Sequence, residues 1–399
     1  MDRDNGDLIN LDNNDQSVQG RAMNAQTLIA PPGLKGLIVA DTSIGSVRGQ
    51  EGFFHYRQYD ATEVAAGRTF ESVAHLLLHD ELPSAAQEAG FRAELAAARR
   101  IDEPLAQLAD RFAEAGHSPL ASLRGLLSVA LDPTPSLDQT AAERFASTLR
   151  AIGATPTLLA AVHRRQAGLT PLAPDPALSH AADFVRMVCG ATPSDAQARA
   201  VERYLSLTAD HGFNASTFTS RVITSTGADI GGVLAGAVAA LSGPLHGGAP
   251  SRVLDMVEDI GDPEDTERWA RAHLEAGNQL MGVGHAVYRA DDPRGSLLRE
   301  TAIELGGELV DRAVEIERRM LAMLRAWKPD ATIVTNVEYY AAIVLHLAGI
   351  PQEMFTATFT TSRIVGWSAH VLEQAADNKI MRPQARYVGI EPPKAVPAA

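Results

Sequence analysis

The sequence predicts an all-α protein, and helix-start signals are the first observation that supports this class. The pairs Ser84/Gln87 and Ser194/Gln197 have the spacing of a capping box, in which the side chain of each residue bonds to the backbone N–H of the other. Ala-rich runs with helical apolar spacing follow both pairs. Long alternations of apolar and polar residues, which predict half-buried strands, do not occur in the sequence.

The chain is predicted to consist of an arm and two helical domains. Residues 1–33 lack apolar periodicity and are predicted to be a largely disordered arm. Residues 37–56 mix β-branched, aromatic and glycine residues, which predicts a short hairpin or an irregular segment. The large helical domain is predicted to comprise residues 34–248 and 353–399, and a more charged small domain comprises residues 249–352. A cleft between such domains favours ligand binding.

Three helices can be placed more closely. Thr69 is expected to begin a helix that ends before Pro83. Asn336 is a good N-cap, so a helix is expected from the next residue to about Ala348. The uncharged stretch 230–250 is about half Gly, Pro and Ala. This stretch predicts a tightly packed interior helix and not a membrane span.

Composition excludes several functions. The formal charge of -14 repels nucleic acids, and the 5% aromatic content argues against base stacking. An anionic substrate would therefore need a local group of arginines. The single cysteine, Cys189, excludes an internal disulfide and a cysteine-based zinc site. The polar, acidic start does not resemble a targeting sequence, so we expect a cytoplasmic protein without membrane partners.

Among the twelve histidines, His246 and His285 are singled out by their surroundings. Each lies among glycines, which lack side-chain bulk where a ligand must approach the backbone. An imidazole in such a setting can donate a hydrogen bond to a carbonyl, although a structural turn is an equally good interpretation. His75 and His79 have the spacing of metal ligands but lack the glutamate of HExxH, so packing is favoured and no metal site is predicted.

One carboxylate and three arginines complete the candidate residues. Glu338 falls in the first turn of the helix after Asn336, where the partial positive charge favours an ionised carboxylate. Arg294, Arg363 and Arg382 could bind a small dicarboxylate if they converge. Taken singly, each of these residues is more often an ordinary helix-start acid or a surface arginine.

Several ordered motifs resemble the citrate synthase family. They are GPLHGGA, GVGHAVYRADDPRG, TNVEYYAAIVLHLAGIP, TSRIVGWSAHVLEQ and RPQARYVG, with DHGFNASTFTSRVITST upstream. The resemblance covers roughly residues 37–390. It implies a mostly helical, two-domain fold, normally a homodimer, with a cleft that closes on oxaloacetate and thereby completes the acetyl-CoA site.

The resemblance also implies roles for individual residues. His246 would hydrogen-bond the thioester carbonyl, Glu338 would remove the methyl proton, and His285 would polarise and protonate the ketone of oxaloacetate. The residues that would hold oxaloacetate are His211, Arg294, Arg363 and Arg382, the last supplied by the partner subunit. The backbone that would border CoA is that of Leu280, Met281, Gly282, Val283 and Gly284. No cofactor is implied, since acetyl-CoA is a substrate.

Two residues depart from the family pattern. The family usually has aspartate at the position of Glu338, and the extra methylene adds on the order of 1 Å of reach. Gly212 stands where the family usually has glutamate, which is expected to loosen the orientation of His211.

The predicted activity is that of a citrate synthase, and two alternatives are open. A 2-methylcitrate synthase would use propionyl-CoA with the same residues, and one methylene is worth only about 1–3 kcal/mol of discrimination. A weakly active paralogue that senses CoA esters or dicarboxylates is the other alternative, motivated by Glu338 and Gly212.

Overall fold

The computed structural model describes residues 28–244, 246, 250–284, 288–329 and 333–397. The chain divides into two compact units, residues 1–41 and 42–399. Within the first unit, a 3-10 turn covers Pro32–Leu34. The predicted arm lies almost entirely outside the described residues, and the further division of the second unit into a large and a small domain stays a prediction.

The described part of the second unit is mostly helical, which confirms the predicted class. Its helices, in chain order, are Ala61–Gly67 (α1), Phe70–His79 (α2), Ala85–Ala98 (α3), Glu103–Glu114 (α4), Pro119–Ala130 (α5), Ala141–Gln166 (α6), His180–Cys189 (α7), Asp195–Thr208 (α8), Ala215–Ser225 (α9), Ile230–Leu241 (α10), Pro250–Ile260 (α11), Thr266–Glu275 (α12), Pro293–Leu305 (α13), Glu308–Trp327 (α14), Val337–Leu347 (α15) and Phe355–Ala376 (α16).

Side-chain caps determine where many of these helices begin. The reciprocal bonds predicted at Ser84 and at Ser194 are both present, at the starts of α3 and α8. Thr140 makes a third such cap, with Glu143, at the start of α6. Helix α2 begins after Thr69 and ends at Asp80, which has left-handed backbone geometry (φ 70°), so the predicted stop before proline is confirmed.

Three short antiparallel strands precede α1. They are Gly45–Arg48 (β1), Phe53–Tyr56 (β2) and Tyr59–Asp60 (β3), in the order β1-β2-β3. Phe54 and Tyr56 alternate on one face of β2 and are buried, which anchors the sheet to the helices. The hairpin expected near the N-terminus is therefore confirmed, while β3 was not predicted.

Small residues allow the interior helices to pack closely. A Cβ atom at Gly236 of α10 would lie 2.3 Å from Ile223 Cδ1 of α9, so only glycine fits without a shift. The prediction of a tight interior helix is confirmed for Ile230–Leu241. Among the described helices, α6 is long and apolar enough to cross a membrane, but 78% of its apolar window is buried inside the protein.

Helix α8 packs against α13, α15 and α16, and α13 also packs against α15, which brings distant motifs together. The backbone N–H of Gly366 on α16 donates to Ala209 O just after α8, at 3.1 Å. A Cβ atom at Gly366 would lie 2.4 Å from that oxygen, so glycine permits this approach. The close contact places Arg363, less than one helical turn earlier on α16, near the segment that contains His211.

Candidate active site

The glycine-containing loop after Leu280 is hydrogen-bonded to the segment that precedes α15. Gly284 N donates to Val334 O at 2.8 Å, and Asn336 N donates to Gly282 O at 2.9 Å. The side chain of Asn336 adds a bond from Nδ2 to Gly284 O at 2.9 Å. We call the joined segments 282–284 and 334–336 the loop–helix clamp. It brings the two predicted motifs, the loop before His285 and the helix start with Glu338, into direct contact.

Glu338 lies in the first turn of α15, and its carboxylate is poorly solvated. Asn336 Oδ1 accepts from Glu338 N at 3.0 Å, as expected for the N-cap. Glu338 Oε2 is buried and has no hydrogen-bond partner among the described residues. Burial raises the pKa of Glu338 to about 7; Arg294 acts in the opposite direction, and Asp292 adds to the increase. The helix start favours the ionised form of this carboxylate, but burial is the largest influence on it and places its pKa well above the ordinary value for glutamate.

His246 is half-buried, and one ring nitrogen is engaged. Its Nε2 lies 2.9 Å from Ser216 Oγ. The indole Nε1 of Trp367 donates to the same oxygen at 3.1 Å. Burial lowers the pKa of His246, and the nearby Arg363 guanidinium lowers it further. The lowered pKa favours a neutral imidazole at pH 7. Leu245 and residues 247–249 lie outside the described residues.

Arg294 is held by a carboxylate that also contacts α15. Asp292 Oδ1 accepts from Arg294 Nε at 3.0 Å, and Oδ2 accepts from Nη2 at 2.9 Å. The same Oδ2 accepts from Val337 N at 3.0 Å. Burial lowers the pKa of Arg294, but the adjacent Asp292 carboxylate reverses this, and the net pKa is raised. Asp292 thus links a predicted substrate-binding arginine to the helix that contains Glu338.

Arg363 is a buried cation whose charge is incompletely compensated. Only 2% of it is exposed, and its Nε donates to Thr208 O at 2.8 Å. Neither terminal nitrogen has a hydrogen-bond or ion-pair partner among the described residues, although the guanidinium lies 4.5 Å from the Phe359 ring centroid. Burial lowers the pKa of Arg363, Asp210 opposes this, and Arg294 adds to the lowering. Buried charge without a partner is costly, so this geometry favours an anionic ligand.

His211 has definite ring contacts. Its Nε2 lies 2.9 Å from Tyr288 Oη, and the Phe54 ring centroid is 5.5 Å away. Gly212 has a φ of +62°, a left-handed geometry that favours glycine, and its N–H donates to Asp210 Oδ2 at 3.2 Å. The contact with Tyr288 Oη restrains the His211 ring, and the looser orientation expected from Gly212 stays a prediction.

The remaining predicted site residues are not brought together by the described structure. His285 lies outside the described residues. Arg382 is exposed and has no hydrogen bond or ion pair with any described residue, so it does not join the site within this chain. Leu280 is buried, and Met281 lines a cleft of about 550 Å³ together with Trp269 and other residues of α11 and α12.

Sequence reasoning missed three residues: two in the site, Ser216 and Asp292, and one outside the substrate site, Glu317. Ser216 follows the N-cap Asn214, and Asp292 precedes a proline at a helix start, which is a typical cap signal. These signals predict helix caps only. They do not predict that Ser216 contacts His246 or that Asp292 contacts Arg294. Glu317 lies in the middle of α14 and gave no signal. His75 and His79, whose rings lie 4.4 Å apart, are packed together with Phe91.

Comparison with known proteins gives a consistent result. The family model "Citrate synthase, C-terminal domain" matches residues 33–384. A 2-methylcitrate synthase of Mycobacterium tuberculosis is 37% identical over 376 residues, which are 93% of this chain and 94% of that protein. The citrate synthase of Haloferax volcanii is 36% identical over 362 residues, which are 90% and 95% of the two chains.

A solved structure is similar over nearly the same length. It is a ternary complex of citrate synthase from Thermoplasma acidophilum with carboxymethyl coenzyme A and oxaloacetate. The TM-score is 0.82 at 25% identity, with 93% of this chain and 99% of that chain covered. The chain is thus similar to proteins named for two different products, citrate and 2-methylcitrate.

Proposed function

Since the chain belongs to the citrate synthase family, whose members are acyltransferases that catalyse condensations, we propose that it joins acetyl-CoA to oxaloacetate and hydrolyses citryl-CoA to citrate and CoA. The observation that carries the proposal is the convergence of a buried carboxylate, Glu338, with two buried guanidinium groups. The positive charge of Arg294 lowers the pKa of both Glu338 and Arg363, so Arg294 lies within electrostatic range of both groups. A base beside a dicarboxylate site is what this condensation requires.

Oxaloacetate would be bound by its two carboxylates. The terminal nitrogens of Arg363 have no partner among the described residues and would donate hydrogen bonds to one carboxylate of oxaloacetate. Each such charge-assisted contact contributes on the order of 1.5–3 kcal/mol. Arg294, oriented by Asp292, would contact the other, with His211 alongside. We also propose a homodimer, in which Arg382 of the partner subunit completes the site.

Enolisation of the thioester would use Glu338 and His246 together. Glu338 accepts a proton from the methyl carbon, and the C–H electron pair moves towards the thioester carbonyl. We assign the His246 proton to Nδ1, because Ser216 Oγ accepts from Trp367 and can give its own proton to His246 Nε2. Ser216 Oγ also lies 2.8 Å from Asn214 Oδ1, which accepts two backbone N–H groups as well, so this tautomer requires the Ser216 proton to point towards His246. Nδ1–H then donates to the developing oxyanion.

The second half of the reaction is proposed from the family resemblance. The enol carbon attacks the ketone of oxaloacetate, and His285 donates a proton to the ketone oxygen as the new C–C bond forms. Water then cleaves the thioester, which releases CoA and citrate. The proposed chemistry needs no metal and no cofactor, and we place the protein in the cytoplasm.

The alternative acyl substrate is propionyl-CoA, since one similar relative is named 2-methylcitrate synthase. We propose acetyl-CoA as the preferred substrate. Release of free thiol, measured with each acyl-CoA in the presence of oxaloacetate, tests this choice directly. We expect a higher kcat/KM for acetyl-CoA and turnover of about 1 s⁻¹ or more. A higher kcat/KM for propionyl-CoA would instead assign the 2-methylcitrate reaction, and undetectable release with both acyl-CoA esters would favour the sensing paralogue.

The pH dependence should report the state of Glu338. A base must be deprotonated, so a carboxylate with a pKa near 7 loses activity as the pH falls through 7. The pKa of His246 is lowered by burial and by Arg363, which favours the neutral ring more than in an ordinary histidine. We expect kcat/KM for acetyl-CoA to have an acidic limb with an apparent pKa near 7. An acidic limb near the ordinary carboxylate value of about 4.3 would contradict this assignment.

A further inference from the structure

We propose that Glu317, a residue of α14 outside the substrate site, is a positioning residue that sets the acyl-CoA half of the site through Thr335. The inference rests on the proposed function. Glu317 is largely buried, with 8% of it exposed, yet it lies in the middle of a helix that contributes no proposed catalytic residue. Its hydrogen bonds account for the burial of a carboxylate at this position.

Glu317 bonds to three different elements. Its Oε1 accepts from Thr335 Oγ1 at 2.7 Å, in the segment before α15. Its Oε2 accepts from Arg299 Nε of α13 at 3.1 Å and from Tyr340 Oη of α15. One carboxylate therefore ties α13, α14 and both sides of the α15 start together, and only the bond to Thr335 reaches the loop–helix clamp.

Thr335 is the central residue of its clamp segment. It forms an isolated antiparallel bridge with Val283, while its neighbours Val334 and Asn336 make the clamp's hydrogen bonds. Asn336 in turn caps the helix that begins before Glu338. A displacement of Thr335 would therefore move the loop that is proposed to border CoA and the proposed base at the same time.

Hydrogen bonds, and not close packing alone, hold Thr335 in place. A cavity of about 160 Å³ is lined by Thr335, Glu317, Tyr340 and Asp292 among other residues. Side chains beside a cavity lack contact atoms on one side, so packing constrains them less. The bond from Thr335 to Glu317 is thus the interaction that can stop the clamp segment from moving towards this space.

Among the described residues, groups other than Glu317 and Thr335 orient the proposed oxaloacetate residues. Arg363 bonds to Thr208 O on α8, and His211 bonds to Tyr288. Arg294 is oriented by Asp292, which also caps α13 through its own side chain. Loss of the Glu317–Thr335 bond should therefore affect the acyl-CoA substrate and the proton-transfer step, and leave oxaloacetate binding intact.

The test replaces Thr335 with valine, which keeps the branched shape and removes the hydroxyl, and with serine, which keeps the hydroxyl. For Thr335→Val we expect kcat/KM for acetyl-CoA to fall about 10-fold or more, with an oxaloacetate KM within about twofold of wild type. Thr335→Ser should recover most of the loss. Normal kinetics in the valine variant, equal losses for both substrates, or equal losses in valine and serine variants would each overturn the proposal.

A second pair of variants tests Glu317 itself. Glu317→Gln should show the same selective loss, because one amide oxygen cannot accept from Thr335, Arg299 and Tyr340 together. Glu315→Gln is the matched control on the same helix: this half-buried carboxylate pairs with Arg318 at 2.5 Å and with Arg319 at 2.6 Å, away from Thr335, and the variant should behave as wild type.

The double variant shows whether the two residues act as one unit. If Glu317 acts through Thr335, combining Glu317→Gln with Thr335→Val should cost no more than the worse single change. Multiplicative losses, or selective loss in the Glu315→Gln control, would overturn the role. Binding of acetyl-CoA in the presence of a non-reacting oxaloacetate analogue, measured by calorimetry, separates this role from the proposed function. Wild-type protein that binds acetyl-CoA but releases no thiol would overturn the function, while unchanged binding and turnover in Thr335→Val would overturn the role of Glu317.

Discussion

Glu338→Gln is expected to lower kcat by about 10²–10⁴-fold while oxaloacetate binding is retained. Glutamine has nearly the same size and can occupy the same space at the start of α15. It cannot accept the methyl proton, and no other carboxylate is proposed to contact the acyl group. Since Arg363 bonds to Thr208 and Arg294 to Asp292, the arginines proposed to bind oxaloacetate do not depend on the Glu338 charge for their orientation.

The measurement is single-turnover thiol release, with oxaloacetate affinity determined separately by calorimetry. Burial raises the pKa of Glu338 to about 7, which shows that the charged carboxylate is costly to bury. The neutral amide of glutamine does not have this cost, so we expect no loss of thermal stability. A glutamine variant with more than about a tenth of the wild-type kcat would remove Glu338 from the role of base.

Glu338→Asp is the informative companion. Aspartate is the residue that the family usually has here, but the start of α15 is held in place by the Asn336 cap and by the bond from Val337 N to Asp292. If these contacts hold the start of α15 at the distance from the acyl group that suits glutamate, shortening the side chain by about 1 Å should lower kcat by up to about 10²-fold. An aspartate variant faster than wild type would show that the helix start has not adapted.

His246→Ala is expected to produce the second large effect, a fall in kcat of about 10²–10³-fold with a smaller change in the KM for oxaloacetate. The thioester methyl is a very weak acid, so removal of its proton requires a donor to the developing oxyanion. His246 is positioned for this by Ser216, and its lowered pKa keeps the ring neutral, which suits a donor that must not lose its proton to solvent.

Ser216→Ala tests the origin of that positioning. The imidazole remains, but its Nε2 loses the partner that determines which nitrogen carries the proton, so we expect a loss smaller than that of His246→Ala. Exchange of the acetyl methyl protons with deuterium, followed by NMR with a non-reacting oxaloacetate analogue, would measure enolisation in both variants. Unchanged exchange in His246→Ala would contradict the donor role.

The sequence by itself determined the helix starts and the chemical nature of the candidate residues. Capping at Ser84, Ser194 and Asn336 depends on side chains within three residues of the atoms they bond, so spacing alone predicts it. The ordered motifs were sufficient to identify the family resemblance. The roles of His285 and Arg382 stay predictions, since the first lies outside the described residues and the second does not contact the site within this chain.

Only the tertiary structure decided the state of these residues. The first-turn position of Glu338 predicted an ionised carboxylate, but burial by neighbouring helices raises its pKa to about 7. The bonds from Thr335 to Glu317 and from Ser216 to Trp367 join residues 18 and 151 positions apart. Desolvation and such long-range bonds depend on how helices pack, and the periodicity of one segment contains no information about the segment that will cover it.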